Sequence, residues 1–225
     1  MSIFTRGEQA KEQANQSNVD VKDIYLRLKS GEGHKVRVLG IYDYVSYKAH
    51  SSFINKIYTQ PCVSMLGKEC ALCKANKLGG DQFKDLYAKD RYVFVFASLE
   101  AKELRAIDIS KQQAKKLIGD IEEYAENINE VAFTLRKTGE KTNTAYSLQP
   151  MLKMTGYEQA FEEVGNLEVT DEFFTAILKP RTLELQVKTL KEAGFDVATH
   201  FPHVVIAEGE TQAPQAGGDD FLDTI

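Results

Sequence analysis

The chain has 225 residues, 43% of them hydrophobic and none of them Trp, which suits one good-sized domain with extensions or two small ones. No apolar run approaches the ~20 residues of a membrane-spanning helix, and nothing over residues 1–10 has the apolar core of a secretory signal, so a soluble intracellular protein is expected. The net charge of −5 conceals an asymmetry: residues 22–153 hold 22 Lys and Arg against 16 Asp and Glu, residues 154–225 only 4 against 14.

Residues 1–21 read as a flexible polar arm with a short helical stretch over 8–15. Residues 24–28 alternate and predict a first strand, closed by the glycine-containing turn at 30–33. A longer strand is predicted over 35–48, with Lys35 and Arg37 on one face, Val36 and Val38 on the other, and Gly40 marking a bulge or sharp bend. Residues 50–73 read as an inserted loop, followed by a helix over 73–89 that Gly79 and Gly80 break. Residues 91–97 predict a strand buried on most of both faces, paired through a hairpin with 104–109. Ser110 is the N-cap of a helix reaching about residue 127, because Ala114, Leu117, Ile118, Ile121 and Tyr124 recur at helical spacing. A last hairpin joins 131–136 to 144–148, and Pro150 stops it. Acidic helices are predicted near 157–163, 170–178 and 182–193. Residues 208–225 contain five acidic and no basic residues, the composition of a disordered tail.

This order predicts an α+β, mainly β fold: an OB-fold-like five-stranded antiparallel barrel over residues 22–153, whose face and loops suit oligonucleotides. A zinc subdomain interrupts it at about 50–75, an acidic helical extension covers 154–207, and a disordered acidic tail follows over 208–225.

All three cysteines fall within twelve residues, as Cys62-x7-Cys70-x2-Cys73, with eleven residues between His50 and Cys62. Three thiolates and one imidazole make a complete tetrahedral set for structural zinc, and a two-residue gap lets both sulfurs of a pair reach one ion. A thioredoxin-like redox pair needs no third cysteine and sits beside a parallel sheet. For the fourth ligand His50 is favoured and His34 competes; His200 and His203 lie too far along the chain.

Cations and rings interleave where the barrel strands fall: Lys35, Arg37, Tyr44, Tyr47, Lys48, Tyr58, Arg91, Tyr92, Lys137 and Tyr146. Single-stranded nucleic acid needs this mixture, with cations along the backbone and rings stacking on bases at ~1–3 kcal/mol per base. Some of these rings must instead build the core, Phe94 and Phe96 above all. The tail ends in Asp219, Asp220, Phe221, Leu222 and Asp223, acids around two large apolar residues on a tether, which is the form of a partner-docking peptide. No phosphate loop, His-Glu-x-x-His or deaminase pattern is present, so a non-enzymatic protein is expected. A metal-dependent nuclease would need Asp81, Asp85 and Asp90 to converge.

The basic aromatic core, the His/Cys/Cys/Cys segment ending in Cys70-Ala-Leu-Cys73-Lys74, the strand 144–150 and the acidic end together resemble the zinc-containing single-stranded DNA-binding proteins of tailed bacteriophages, the group typified by the T-even helix-destabilising protein. The resemblance covers residues 22–153 and the tail. It implies a protein that coats and protects single-stranded DNA in phage replication, recombination and repair, in the cytoplasm of the infected bacterial host. It further implies that the tail recruits replication and recombination proteins, with self-association on DNA. The chain departs from that group in three ways. Its histidine precedes all three cysteines, Phe4-Thr-Arg-Gly7 matches poorly the short Lys/Arg-Ser/Thr run of the group, and the helices after Met154 have no counterpart. A zinc-stabilised interaction module that binds no nucleic acid is the alternative.

Overall fold

A computed structural model describes residues 21–206; all but the last residue of the arm predicted over 1–21, and the whole tail predicted over 208–225 with Asp219 to Asp223, lie outside them. Seven strands form one mostly antiparallel sheet: β1 (Gly33–Arg37), β2 (Tyr44–Ser52), β3 (Ile57–Pro61), β4 (Lys89–Ser98), β5 (Leu104–Ser110), β6 (Ala132–Thr138) and β7 (Ala145–Pro150). Their order is β3-β2-β4-β1-β6-β7, with β5 on the other edge of β4. No ladder joins β5 to β7 among the described residues, so the sheet does not close into the expected five-stranded barrel. The fold shown is α+β with an unclosed sheet.

The helices are α1 (Val21–Ile24), α2 (Ala71–Leu78), α3 (Lys111–Glu123), α4 (Glu158–Val164), α5 (Asp171–Ile177), α6 (Leu183–Glu192) and α7 (Val197–His200). Ser110 caps α3 as its sequence predicts. Its hydroxyl accepts from the Gln113 amide while the Gln113 side chain accepts from the Ser110 amide, a capping box that satisfies two otherwise orphaned donors. Ala114, Leu117 and Ile121 then face the sheet, and the Leu148 amide donates to Asp120 at 2.9 Å, pinning the helix to β7.

Three expectations need correction. Residues 24–28 are not a strand: α1 ends at Ile24, and the chain then touches β5 through a single parallel bridge, Tyr25 to Ala106. The predicted strand over 35–48 is two strands. They are separated by a turn in which the Asp43 amide donates to the Gly40 carbonyl at 3.4 Å and the Tyr44 amide to the Tyr42 carbonyl at 2.7 Å. The helix after the cysteines begins at Ala71 rather than Cys73, stops where the Gly79 amide bonds Ala75, and continues only as a 3-10 turn, Gly80–Leu86.

Four apolar clusters follow from this topology. The central one packs Val36, Phe94, Phe96, Ile107, Phe133 and Leu135 against α3. The opposite face of β4 and β5 (Val93, Val95, Ala106) is covered by Ile24 and by Phe174 and Ile177 of α5. Phe161 of α4 closes a corner against Ala97 and Ala132. A separate cluster joins Ile57, Leu72, Phe83 and Leu86 to Val187 and Leu190 of α6. The three acidic helices thus pack each on a different part of the fold. Three turns carry a lysine in the left-handed region: Lys56 between β2 and β3 (φ 53), Lys102 between β4 and β5 (φ 57) and Lys141 between β6 and β7 (φ 52).

Candidate metal centre and adjoining groove

His50 sits on β2 and pairs across the ladder with Gln60 of β3, which brings the end of β3 alongside. The Cys62 amide then donates to the Lys48 carbonyl at 2.8 Å, fixing the first cysteine just past the strand. A 3-10 turn, Val63–Leu66, closes on Gly67 at φ 68 and reverses the chain, a backbone angle that glycine adopts without a Cβ penalty. Cys70 flanks the start of α2 and Cys73 lies in its first turn, so both sulfurs point to one side.

The four ligand atoms all lie within 4.8 Å of one another. Cys62 Sγ is 4.0 Å from Cys70 Sγ and 3.5 Å from Cys73 Sγ; His50 Nε2 is 3.5 Å from Cys70 Sγ and 3.4 Å from Cys73 Sγ. His50 is fully buried, and its Nδ1 lies 2.7 Å from the Leu86 carbonyl. Donation from Nδ1 to that carbonyl leaves the Nε2 lone pair aimed at the sulfurs, the arrangement that orients metal-binding histidines. The Ser64 hydroxyl lies 2.9 Å from Cys62 Sγ. Burial and the neighbouring Cys70 push the Cys73 thiol up to about 12; three thiolates share so small a volume only with a cation among them. His50, Cys62, Cys70 and Cys73 therefore form a set fit to bind a metal ion.

The competing histidine is elsewhere. His34 Nε2 is 2.8 Å from Ser98 Oγ and its Nδ1 is 3.0 Å from Glu100. His200 packs on Phe195, and His203 contacts Glu69 at 3.2 Å. The three aspartates do not converge: Asp81 meets Lys84, Asp85 accepts from Ser52, and Asp90 holds Lys48. Among the described residues the Cys/His group is the only cluster of three or more such ligands.

The predicted nucleic-acid contacts divide sharply. Tyr47 and Arg91 converge on one carboxylate: the Tyr47 hydroxyl donates to Asp108 at 2.7 Å, and Arg91 Nε donates to it at 2.8 Å. Burial, then the Asp108 charge, holds the Tyr47 phenol well above its ordinary range. Arg37 donates to the Phe161 and Asn129 carbonyls and lies over the Phe161 ring at 4.0 Å. Tyr146 is a core residue with Lys137 beside its ring, Tyr92 packs partly buried against the same core, and Tyr44 stacks on Phe94. Lys35 donates to Thr134 at 2.7 Å. Tyr58 and Lys48 keep surface exposure, 37% for the whole Tyr58 residue and 41% for the Lys48 side chain.

Lys48 opens onto a groove. One wall is Ser46, Tyr47 and Lys48 of β2; the other is Cys62, Met65 and Leu66 of the metal-binding loop. Asp43 bonds through its carbonyl to Val95 of β4, so by strand alternation the Ser46 amide and carbonyl face away from β4. They face the groove, beyond the point where the β3 ladder has ended. Met65 and Leu66 are 73% and 61% exposed. At the groove's end Asp90 binds Lys48 at 2.6 Å and Lys111 at 3.7 Å, two cations on one carboxylate.

Sequence reasoning missed Met65 and Leu66, which are exposed despite their apolarity, and the exposed ring of Tyr87, which carries Lys89 Nζ at 4.9 Å. It also missed Gln186, a buried side chain of α6 whose oxygen accepts from the Ala71 amide beside Cys70. Compared with known proteins, the chain matches no family model and no curated sequence.

Proposed function

We propose that this chain is a non-enzymatic, single-stranded DNA-binding protein whose metal is structural zinc. The observation that carries the reading is the groove itself: the metal-binding loop forms one wall, apolar side chains are exposed along it, and cations stand at its end. Apolar walls and rings accept bases of any sequence, and cations neutralise the backbone. Lys48 and Lys111 meet phosphate, while Met65, Leu66 and the exposed rings of Tyr58 and Tyr87 meet bases. Arg91, Tyr47 and Tyr146 support the fold from within.

Zinc fits the donor set. Tetrahedral zinc with Zn–S of about 2.3 Å and Zn–N of about 2.0–2.1 Å sets ligand-to-ligand edges of about 3.8 Å between sulfurs and about 3.6 Å from sulfur to nitrogen. Two of the sulfur–sulfur separations are 3.5 and 4.0 Å and two of the sulfur–nitrogen separations 3.4 and 3.5 Å, and all the ligand atoms lie within 4.8 Å of one another. With three thiolates and an imidazole there is no open position for water, so zinc contributes folding free energy and no chemistry. His50, Cys62, Cys70 and Cys73 hold it, and Leu86 and Ser64 orient the ligands.

A partly open OB-fold-like core is consistent with the pairing. β1 and β2 bond in succession to the same strand, Val36 to Ser98 and then Tyr44 to Phe94, as two halves of one bent strand would. α3 fills the gap between β5 and β7. Phage replication, recombination and repair, with the acidic tail recruiting partners, complete the proposal on the strength of the resemblance alone.

The test is fluorescence anisotropy with a labelled oligo-dT of about thirty nucleotides against an equal duplex at two salt concentrations. Binding to the single strand alone is expected, with a log–log salt slope of roughly −0.7 per phosphate contacted. Equal affinity for duplex, or none for either, overturns it. A second reading, a protein-interaction module, is favoured by the same Ser46 edge, since an exposed strand edge with apolar flanks accepts an extended peptide. It predicts no oligonucleotide binding with the metal in place.

A further inference from the structure

Leu178 and Pro180, just past α5, line the groove, and the next helix, α6, reaches the metal centre. Gln186 of α6 is fully buried, although glutamine is seldom found inside a protein without a purpose for its amide. Its Oε1 accepts from the Ala71 amide at 2.9 Å, across 115 residues of chain, and its Nε2 donates to the Arg181 carbonyl at 3.2 Å. Ala71 is the residue between Cys70 and the rest of the ligand turn, and it is the first residue of α2. Its amide is one of the donors a helix start leaves without an intrahelical partner. A side chain from α6 thus satisfies the backbone that sets the Cys70 and Cys73 sulfurs.

A second set of contacts ties the same turn to the end of the described chain. Lys74, next to Cys73, donates to the His200 carbonyl at 2.6 Å and lies 4.5 Å from the Phe201 ring centroid. Glu69, next to Cys70, meets His203 at 3.2 Å and Lys74 at 3.7 Å. Beneath these polar contacts Leu72 and Ala75 of α2 share one apolar cluster with Val187, Leu190 and Phe201. Both flanks and the base of the ligand turn therefore rest on residues 181–203.

We propose that Gln186 is a positioning residue of the metal site, and that metal retention and docking of residues 181–203 are one coupled equilibrium. This rests on the reading of the four ligands as a metal centre. The ligand turn holds its geometry only while α6 and α7 are seated, and the helices keep their partner surface only while the ion fixes the turn. Loss of the metal releases α6 and α7 from the ligand turn.

The full chain is first assayed for bound zinc by elemental analysis, then followed by hydrogen exchange before and after a strong chelator strips it. One zinc per chain is expected. Removal is expected to abolish protection across 183–192 while β6 and β7 keep theirs. Gln186→Leu is expected to release zinc to a chromophoric chelator about 10–100-fold faster, the usual size of losing a partner that orients a ligand. Gln186→Glu keeps the acceptor for the Ala71 amide but loses the donor to the Arg181 carbonyl, so it should recover part of the retention, which a purely apolar packing role would not predict. Bound zinc whose removal leaves α6 protected overturns the coupling and leaves the metal reading standing. Absence of zinc and of any other ion overturns both. If Gln186→Leu fails to fold, the exchange comparison on the natural chain decides alone.

Discussion

The sheet and the metal subdomain are built on opposite principles. The sheet buries large apolar side chains of strands near and far in sequence, β1 lying between β4 and β6, and its few interior polar groups, such as Arg91 and Asp108, satisfy one another across a hairpin. The metal subdomain has only a short edge strand, one two-turn helix and two 3-10 turns of its own. Its core is completed by α6, more than a hundred residues away, and its centre is four ligands in place of apolar bulk. A small unit that cannot bury enough surface needs a staple. Here two are present, a metal site and a borrowed helix.

Breaking each staple separately sharpens that contrast. The largest effect is expected for Cys70→Ser. Metal binding supplies roughly 10–16 kcal/mol in small zinc peptides at neutral pH, so the variant should lose its metal and the cooperative unfolding of the subdomain. Signals from the sheet should persist, and calorimetry with elemental analysis reads both. A single, unshifted transition would show that the ion contributes nothing to this fold. Acidification should mimic the variant, because the ligands bind only when deprotonated.

The next effect belongs to the sheet. Asp108→Ala leaves the Arg91 guanidinium, 9% exposed, without its carboxylate and deprives the Tyr47 hydroxyl of its acceptor. Removing one partner of a buried pair costs about 3–5 kcal/mol. Urea unfolding should register that loss while the metal content stays unchanged; loss of metal in this variant would contradict the independence of the two regions. The smallest effect is expected for Ser110→Ala. Losing this N-cap removes about 1 kcal/mol from the sheet side alone, seen as a lower urea midpoint with an unchanged slope.

The same contrast explains which parts of the molecule are legible in its sequence. Antiparallel neighbours announce themselves by local pattern, so β4, β5, the Ser110 cap, α3 and the β6–β7 hairpin follow from alternation, helical spacing and turn residues. The ligand set is legible because a metal site concentrates rare residues into a short window. Residues 24–28 mislead because four or five alternating positions look alike in a strand and in a segment that touches an edge once at Tyr25. Arg91 and Tyr47 read as surface groups because nothing local reveals that Asp108 of the next strand sits beneath them. Gln186 is invisible for the same reason at longer range: its partner amide belongs to Ala71, and a lone glutamine in an acidic helix has no pattern to give it away.

Lys56, Lys102 and Lys141 occupy, at the tips of three successive hairpins, a backbone region where glycine is the comfortable residue. A left-handed conformation costs a residue with a Cβ roughly 1–2 kcal/mol, so a stability-minded engineer would replace all three with glycine. For Lys102 the fold shows a return, a 2.6 Å ion pair with Glu163 that anchors α4. At the Lys56 tip the same edit would leave a sturdier molecule with blunter charge. A thermostabilised version of this protein is therefore the wrong reagent for judging what its loops touch.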